Sequence, residues 1–496
     1  KMKMKAKLFM SLALMGALCC SCSSFDDIND NPNDPTAVSP KLILPNVCES
    51  AFSRGTGGMY ADKMVVQTDG HNAEQFYEWT RGSFSTYNNE LLQVTKLKEE
   101  ADRTGETVYE GLYHFFRAYY FYNLTLKFGD IPYIEALKGE SDGQFTPKYD
   151  SQETVFAGVL DELATASDEL SLAASKQENI SGDIIYGSDA AKWQKLVNSF
   201  RLKVLLTLSH KEKVGNHDIR QEFKQIAQLP LMASNADNGQ LAYIDQEGNR
   251  YPQFNAQWSG FYMDKTFIDG MALRKDPRLF LYALPTNEAA SAGKAVTDFT
   301  AYAGGNPTVP YGENKNLVGA GKISQINSRY RTNPTGEPTM LMGYAELQQI
   351  LAEAVVRGWI QGDAKQYYEN GVRASFAWYH TYSGDYAKYV TDDAADTYLQ
   401  GDEVKWDDQL TQEQKIERII FQKYCVGFFQ GDWDPFFEHL RTGYPEFAHL
   451  ADNPIPYRWM YPETENKYNT ENVENAIKSQ FGENNDKITA MPWWLK

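Results

Sequence analysis

Apolar residues recur at three- and four-residue intervals through much of the chain, which is the spacing of amphipathic helices. Val155, Phe156, Val159, Leu160, Leu163, Ala166 and Leu170 form one stripe. Trp193, Leu196, Val197, Phe200, Val204 and Leu208 form another. Tyr109 to Phe128 (YEGLYHFFRAYYFYNLTLKF) carries apolar residues on nearly every face, which predicts a deeply buried helix. Gly129-Asp130-Ile131-Pro132 should stop it.

Met340 to His380 is the most informative stretch. Tyr344, Leu347, Leu351 and Val355 share one helical face, and Arg357-Gly358 closes that helix with a cation and a C-terminal glycine. Asp363 can cap the next helix. Within it, Ala364, Tyr368 and Gly371 have the small-large-small spacing of a tetratricopeptide second helix. One such pair needs others to stack on, although no clean repeat recurs elsewhere. Between about Pro230 and Pro338, Gly, Pro, Asn and aromatic residues alternate without long periodicity, as in Tyr251 to Tyr262 (YPQFNAQWSGFY). Asp434 to Asn475 is similarly irregular. Loops this long inside a compact protein are usually functional. The predicted fold class is mostly α, a scaffold of tetratricopeptide-like helical pairs with long inserted loops forming a ligand face.

The N-terminus reads as an address. Lys1, Lys3, Lys5 and Lys7 precede an apolar run from Leu8 to Leu18. As a helix those residues rise about 16 Å, about half a bilayer core, so they resemble a signal-peptide core rather than a membrane span. Cys19-Cys20-Ser21-Cys22 follows, and a small residue before cysteine resembles a bacterial lipoprotein cleavage box. Cys22 is the first choice for lipidation and Cys20 the second. Cys19 and Cys22 lack the second pair that a metal site would need. Residues 1–21 are thus expected to be a signal peptide, 22–40 a lipidated flexible tether, and 41–496 a single domain. The tether sequence SSFDDINDNPNDPT begins like a calcium loop, but Pro32 and Val38 replace the required Gly and Glu, which excludes an EF-hand.

Charge and cysteine content narrow the classes. The formal charge of −18 becomes −22 without the four N-terminal lysines, which disfavours nucleic acid as a partner. Only Cys48 and Cys425 remain in the body, too few for a disulfide framework, and they are expected to be buried free thiols. No HExxH, Walker, GxGxxG or GxSxG pattern occurs, and the seven histidines show no metal spacing. No cofactor or metal is predicted. Two well-placed carboxylates would suffice for a glycosidase, and 66 acidic residues leave that alternative open.

Several segments, taken in order, resemble the SusD/RagB family of outer-membrane nutrient-binding lipoproteins. They are the cysteine box followed by FDDINDNPN, the helix ending RAYYFYNLTLKFGDIPY, the pair YAELQQILAEAVVRGW, the late IERIIFQKYCVGFFQGDWDPFFEHLRTGYP and the closing YRWMYPETENKYN. The resemblance implies a lipid-anchored protein exposed on the outer membrane. It also implies a TonB-dependent, SusC-like transporter as partner and a glycan as ligand. Some family members serve peptide uptake instead, so oligopeptide capture is the second reading and a surface glycoside hydrolase the third.

A sugar ring offers an apolar C–H face edged with hydroxyls, so its site needs a flat exposed aromatic beside amides, carboxylates or guanidinium groups. Two loop segments have that composition, His71 to Arg81 and Tyr251 to Tyr262. Trp79 and Trp258 are the expected platform. Asn72, Gln75 and Arg81 would supply polar contacts, and Tyr251 and Tyr302 would extend the surface. Trp359, Trp378 and Trp433, with Met340 and Met342, are expected to be structural, while Trp493 and Trp494 near the end are expected at the surface.

Overall fold

A computed structural model describes residues 37–496. The segment expected to be a signal peptide, Cys22 and the expected tether as far as residue 36 lie outside the described residues. Pro40–Lys496 forms one compact unit, built mainly from helices.

The first helix, α1 (Pro40–Phe52), packs on α2 (Glu90–Thr104), and α2 packs on α3 (Glu110–Phe128). The all-round apolar sequence of α3 has its predicted consequence, since thirteen of its residues are buried. It packs against α4 (Gln152–Ser175), and α4 packs against α5 (Ala190–Thr207). Both helices start at side-chain caps, where Ser151 and Asp189 accept the backbone N–H groups of Thr154 and Lys192. A short helix, α6 (Ile219–Ile226), then packs on α5.

The second half repeats the pairing. Helix α7 (Tyr344–Val356) packs against α8 (Ala364–Tyr382) and α9 (Gln412–Val426). Asp363 caps α8 by accepting from Gln366 N. Gly371 lets the pair close up, because a Cβ there would lie 2.3 Å from Gln349 Nε2 and 3.0 Å from Ala345 O. Glu353 of α7 receives a two-pronged ion pair from Arg441 at 2.6 and 2.8 Å, on α10 (Asp434–Thr442). Both partners are buried, and each has a second ion pair, Glu353 with Arg357 at 2.7 Å and Arg441 with Glu438 at 2.5 Å, so the contact is part of a four-member network.

Among the described residues there are three two-stranded antiparallel sheets, two of which tie segments far apart in the chain and one of which is a local hairpin between α5 and α6. Strand β1 (Val65–Gln67) pairs with β5 (Phe261–Met263), β2 (Lys213–Val214) with β3 (His217–Asp218), and β4 (Gly239–Leu241) with β6 (Thr339–Met342). The stretch that looks irregular in sequence therefore contains short elements, among them a nine-residue helix at Lys265–Leu273. Elements of two to four residues are too brief to show a period. Cys48 and Cys425 are buried and free, and burial pushes both thiols up.

Candidate ligand-binding site

The β1–β5 pair joins the two predicted aromatic segments. Val65 faces Met263 and Gln67 faces Phe261. Beyond the pair, Thr68 N donates to Gly260 O at 2.8 Å. Gly260 has φ +69°, and a Cβ there would lie 1.8 Å from Gln67 Oε1, so this crossing requires glycine. The early segment is thereby fixed beside the middle loop.

The predicted residues of the early segment are consumed in doing this. Gln75 is buried, with its Oε1 accepting from Gln67 N at 2.8 Å and its Nε2 donating to Pro307 O at 3.1 Å. Asn72 caps the turn at Ala73–Phe76 by accepting from Gln75 N. Arg81 donates to Tyr461 O at 2.7 Å and pairs with Asp486 and Glu463. Trp79 is only 6% exposed, which corrects its expected role as a surface platform. Its Nε1 donates to Arg458 O at 3.1 Å, and its ring stacks on Trp459 at 4.9 Å. An indole in an aromatic cluster with its N–H satisfied by distant backbone is packing material.

Trp258 has a different setting. It is half-buried, and its Nε1 donates to Gln253 Oε1, five residues back, at 3.1 Å. Phe429 lies nearly parallel to it at 6.0 Å, Phe261 meets it edge-on at 5.9 Å, and Tyr60 extends the row behind Phe261 at 5.5 Å. The Arg331 guanidinium sits 5.3 Å from the Trp258 ring and makes no ion pair among the described residues. Exposed Asn255, Gln257 and Ser259 border the ring, and Ser259 Oγ donates to Asp69, which Lys315 also holds at 2.6 Å. Those contacts hold the Asp69 carboxyl below its ordinary range.

Arg331 belongs to a segment clamped on the Trp258 loop. Asn255 N donates to Arg331 O at 3.0 Å and Tyr251 N to Pro334 O at 2.8 Å. The other side of that segment borders a cavity of about 340 Å³ lined by Tyr330, Thr332, Asn333, Tyr382, Ser383 and Tyr386. The Ser383 hydroxyl, though buried, has no hydrogen-bond partner. The half-open indole, the free guanidinium and the polar cavity thus share one strip of chain.

Further expectations are corrected here. Tyr251 is 2% exposed, with its ring between Tyr243 and Tyr330, so it supports the strip from beneath. Tyr302 is also buried, stacked on Phe280, with its hydroxyl donating to Val296 O. Trp359 and Trp378 are buried as expected, and so is Met342, whereas Met340 is half-buried. Trp494, expected at the surface, is fully buried against Phe437 because its backbone N–H anchors to Gln152 Oε1 of α4. Trp433 is half-buried rather than core. Arg331, Phe429 and the Tyr382–Tyr386 turn did not stand out in the sequence. The signal available was SRYRTNPTG, two cations and a tyrosine ahead of a turn.

The structure thus presents helical pairs that carry a loop-built surface with a half-open indole. Residues 32–462 match the SusD-like family, described as starch-binding and associating with the outer membrane. The chain belongs to that family, whose members are binding proteins. A SusD homologue from Bacteroides fragilis is 56% identical, with TM-score 0.89, covering 92% of this chain and 99% of its own. An outer-membrane protein of Bacteroides vulgatus, described as involved in nutrient binding, is 50% identical, with TM-score 0.89, covering 92% of this chain and 100% of its own. A chitin-binding SusD homologue from Flavobacterium johnsoniae shares the fold at 20% identity and TM-score 0.73, covering 92% of this chain and 98% of its own. No curated protein matches the chain. The tetratricopeptide-like fold predicted from sequence is the one these homologues share.

Proposed function

We propose that this protein captures glycan oligomers at the cell surface and hands them to a SusC-like, TonB-dependent transporter, without cleaving them. The half-open Trp258 indole beside the unpaired Arg331 guanidinium carries this reading. An indole covering 40–80 Å² of a sugar's C–H face contributes about 1–2 kcal/mol at about 25 cal/mol per Å². The guanidinium and nearby amides supply hydrogen bonds at the ring edge. A few such contacts correspond to dissociation constants from about 1 mM to 1 µM, which suits a protein that must also release its ligand. Membrane attachment through Cys22 would leave the body on a tether as a lid over the transporter. Of the seven residues proposed from sequence, Trp258 keeps the contact role, while Trp79, Gln75, Asn72, Arg81, Tyr251 and Tyr302 hold the surrounding chain.

The test is calorimetric titration of the protein with soluble polysaccharides and with mixed peptides, together with an assay for new reducing ends. Binding to a polysaccharide without cleavage, weakened in Trp258→Ala, is the expected result. Binding to peptides alone would move the protein to oligopeptide capture, and new reducing ends would make it a hydrolase. Co-isolation with a β-barrel transporter from outer membranes tests the partner.

A further inference from the structure

A second cavity, of about 360 Å³, lies where α1, α2 and α3 meet the turn Gly427–Asp434. Such a volume is within the range of small-ligand sites. Two of its walls are Trp433 and Trp459, both half-buried, with ring centroids 4.6 Å apart at 85°. They form a right-angled corner of flat apolar surface. Trp79 backs Trp459 from behind, and Trp459 N donates to Lys127 O at 2.9 Å, so the corner is fixed from two sides.

The polar wall is incomplete. Tyr120 is 7% exposed and lines the cavity, and its hydroxyl has no hydrogen-bond partner. Glu90 Oε2, from the first turn of α2, lines the same cavity and is also buried without a partner. Buried polar atoms left unpaired cost about 1–3 kcal/mol each, so two in one cavity need an explanation. Asn123 spends its Nδ2 on Tyr119 O at 2.8 Å, which leaves its carbonyl oxygen as an acceptor. Asp432 projects from the opposite side, where burial pushes its carboxyl up and Lys127 opposes the shift.

Charge in the cavity is near balance. Asp434 is matched by Arg54 at 3.6 Å and by Lys203 at 2.9 Å, and Lys127 stands 5.9 Å over the Trp459 ring. The uncommitted atoms are mainly acceptors, so they call for a ligand rich in hydroxyl donors and without net charge. The tryptophan corner calls for a ring with an apolar face. Both requirements describe a neutral sugar.

We propose that this cleft is a second sugar-binding site, which seats the end of a neutral oligosaccharide on Trp433 and Trp459 with Glu90 and Tyr120 bonding its hydroxyls. The site is separate from the Trp258 surface and stands or falls independently of it. The probes are glucose, N-acetylglucosamine, their β-1,4-linked disaccharides and maltose, titrated by tryptophan fluorescence into the full protein carrying Trp258→Ala. Adding Glu90→Ala and Tyr120→Phe removes the Glu90 Oε2 and Tyr120 hydroxyl that have no hydrogen-bond partner in the fold. Saturable binding by at least one probe, weakened about ten-fold by that pair, is expected. The same pair in the otherwise native protein should leave any Trp258-dependent binding in place. No binding by any probe, or binding that the pair leaves unchanged, overturns the proposal. A dipeptide amide that binds where sugars do not also overturns it and makes the cleft an amine site. A crystal soaked with the binding disaccharide must show it against Trp459, and density elsewhere counts against the site.

Discussion

Trp79 and Trp258 sit in segments of similar composition, yet they do opposite work. The N–H of Trp79 reaches backbone 379 positions away, and its ring is enclosed by other aromatics. The N–H of Trp258 reaches a side chain five positions away, and the Arg331 guanidinium lies 5.3 Å from its ring. At Trp79 the remote backbone partner ties two distant segments together, while Trp258, satisfied within its own loop, stays half-open. Local composition does not separate these two rings, whereas the chain that returns over each of them does.

The comparison predicts its largest effect at the clamp. Trp79→Ala should cost about 3–5 kcal/mol of stability, read as a lower denaturation midpoint, because it opens a cavity under Trp459. A midpoint like that of the parent would dissolve the contrast. Next in size is a pH effect on both sides. Asp130, whose carbonyl accepts from Tyr461 beside the clamp, and Asp264, which follows β5 behind the platform, are each pushed by burial to about 7. Between about pH 4 and 7 the folded chain keeps protons there that the unfolded chain has released. Their contribution is thus fully present below about pH 4 and is lost as pH rises through 7, at no more than about 1.4 kcal/mol per pH unit for each group. Unfolding measured from pH 4 to 8 should show this decline, and Asp130→Asn should flatten it, since the amide oxygen can still accept from Gln152 N.

Effects on the ligand are smaller. Trp258→Ala should weaken glycan binding by about 1–2 kcal/mol while lowering stability far less than Trp79→Ala does. If it unfolds the protein as readily, Trp258 is a clamp too. Arg331→Gln should lose about 0.5–1 kcal/mol of affinity and leave the denaturation midpoint in place, because its guanidinium lies over the Trp258 ring and pairs with no carboxylate among the described residues.

The helical frame was legible because its signals are local. The stripe from Val155 to Leu170, the closure at Arg357-Gly358 and the cap at Asp363 each need only neighbours within a few positions, and all three recur in α4, α7 and α8. The surface was half legible. Composition pointed to both loop segments, but whether an aromatic faces solvent depends on what the chain brings back from far away. For Trp79 that was Arg458 and Trp459, and for Tyr251 it was Tyr330 and Pro334. Trp433 was read as structural because its neighbours look like helix, although it stands one residue before α10 at the mouth of a cavity.

The turn Gly427–Asp434 carries Phe429 beneath Trp258 and, four residues later, Trp433 at the other cavity. Phe429 and Asp432 both hold left-handed backbone, at φ 58° and 46°, so the turn has one shape and little slack. Four residues span at most about 14 Å, which fixes how far apart the two rings can be rooted. For descent this means the two surfaces are inherited as a unit. An insertion or deletion in those few codons changes the spacing of the two rings and disturbs both surfaces at once, so new ligand preferences are more readily reached through the outer loops than through this turn.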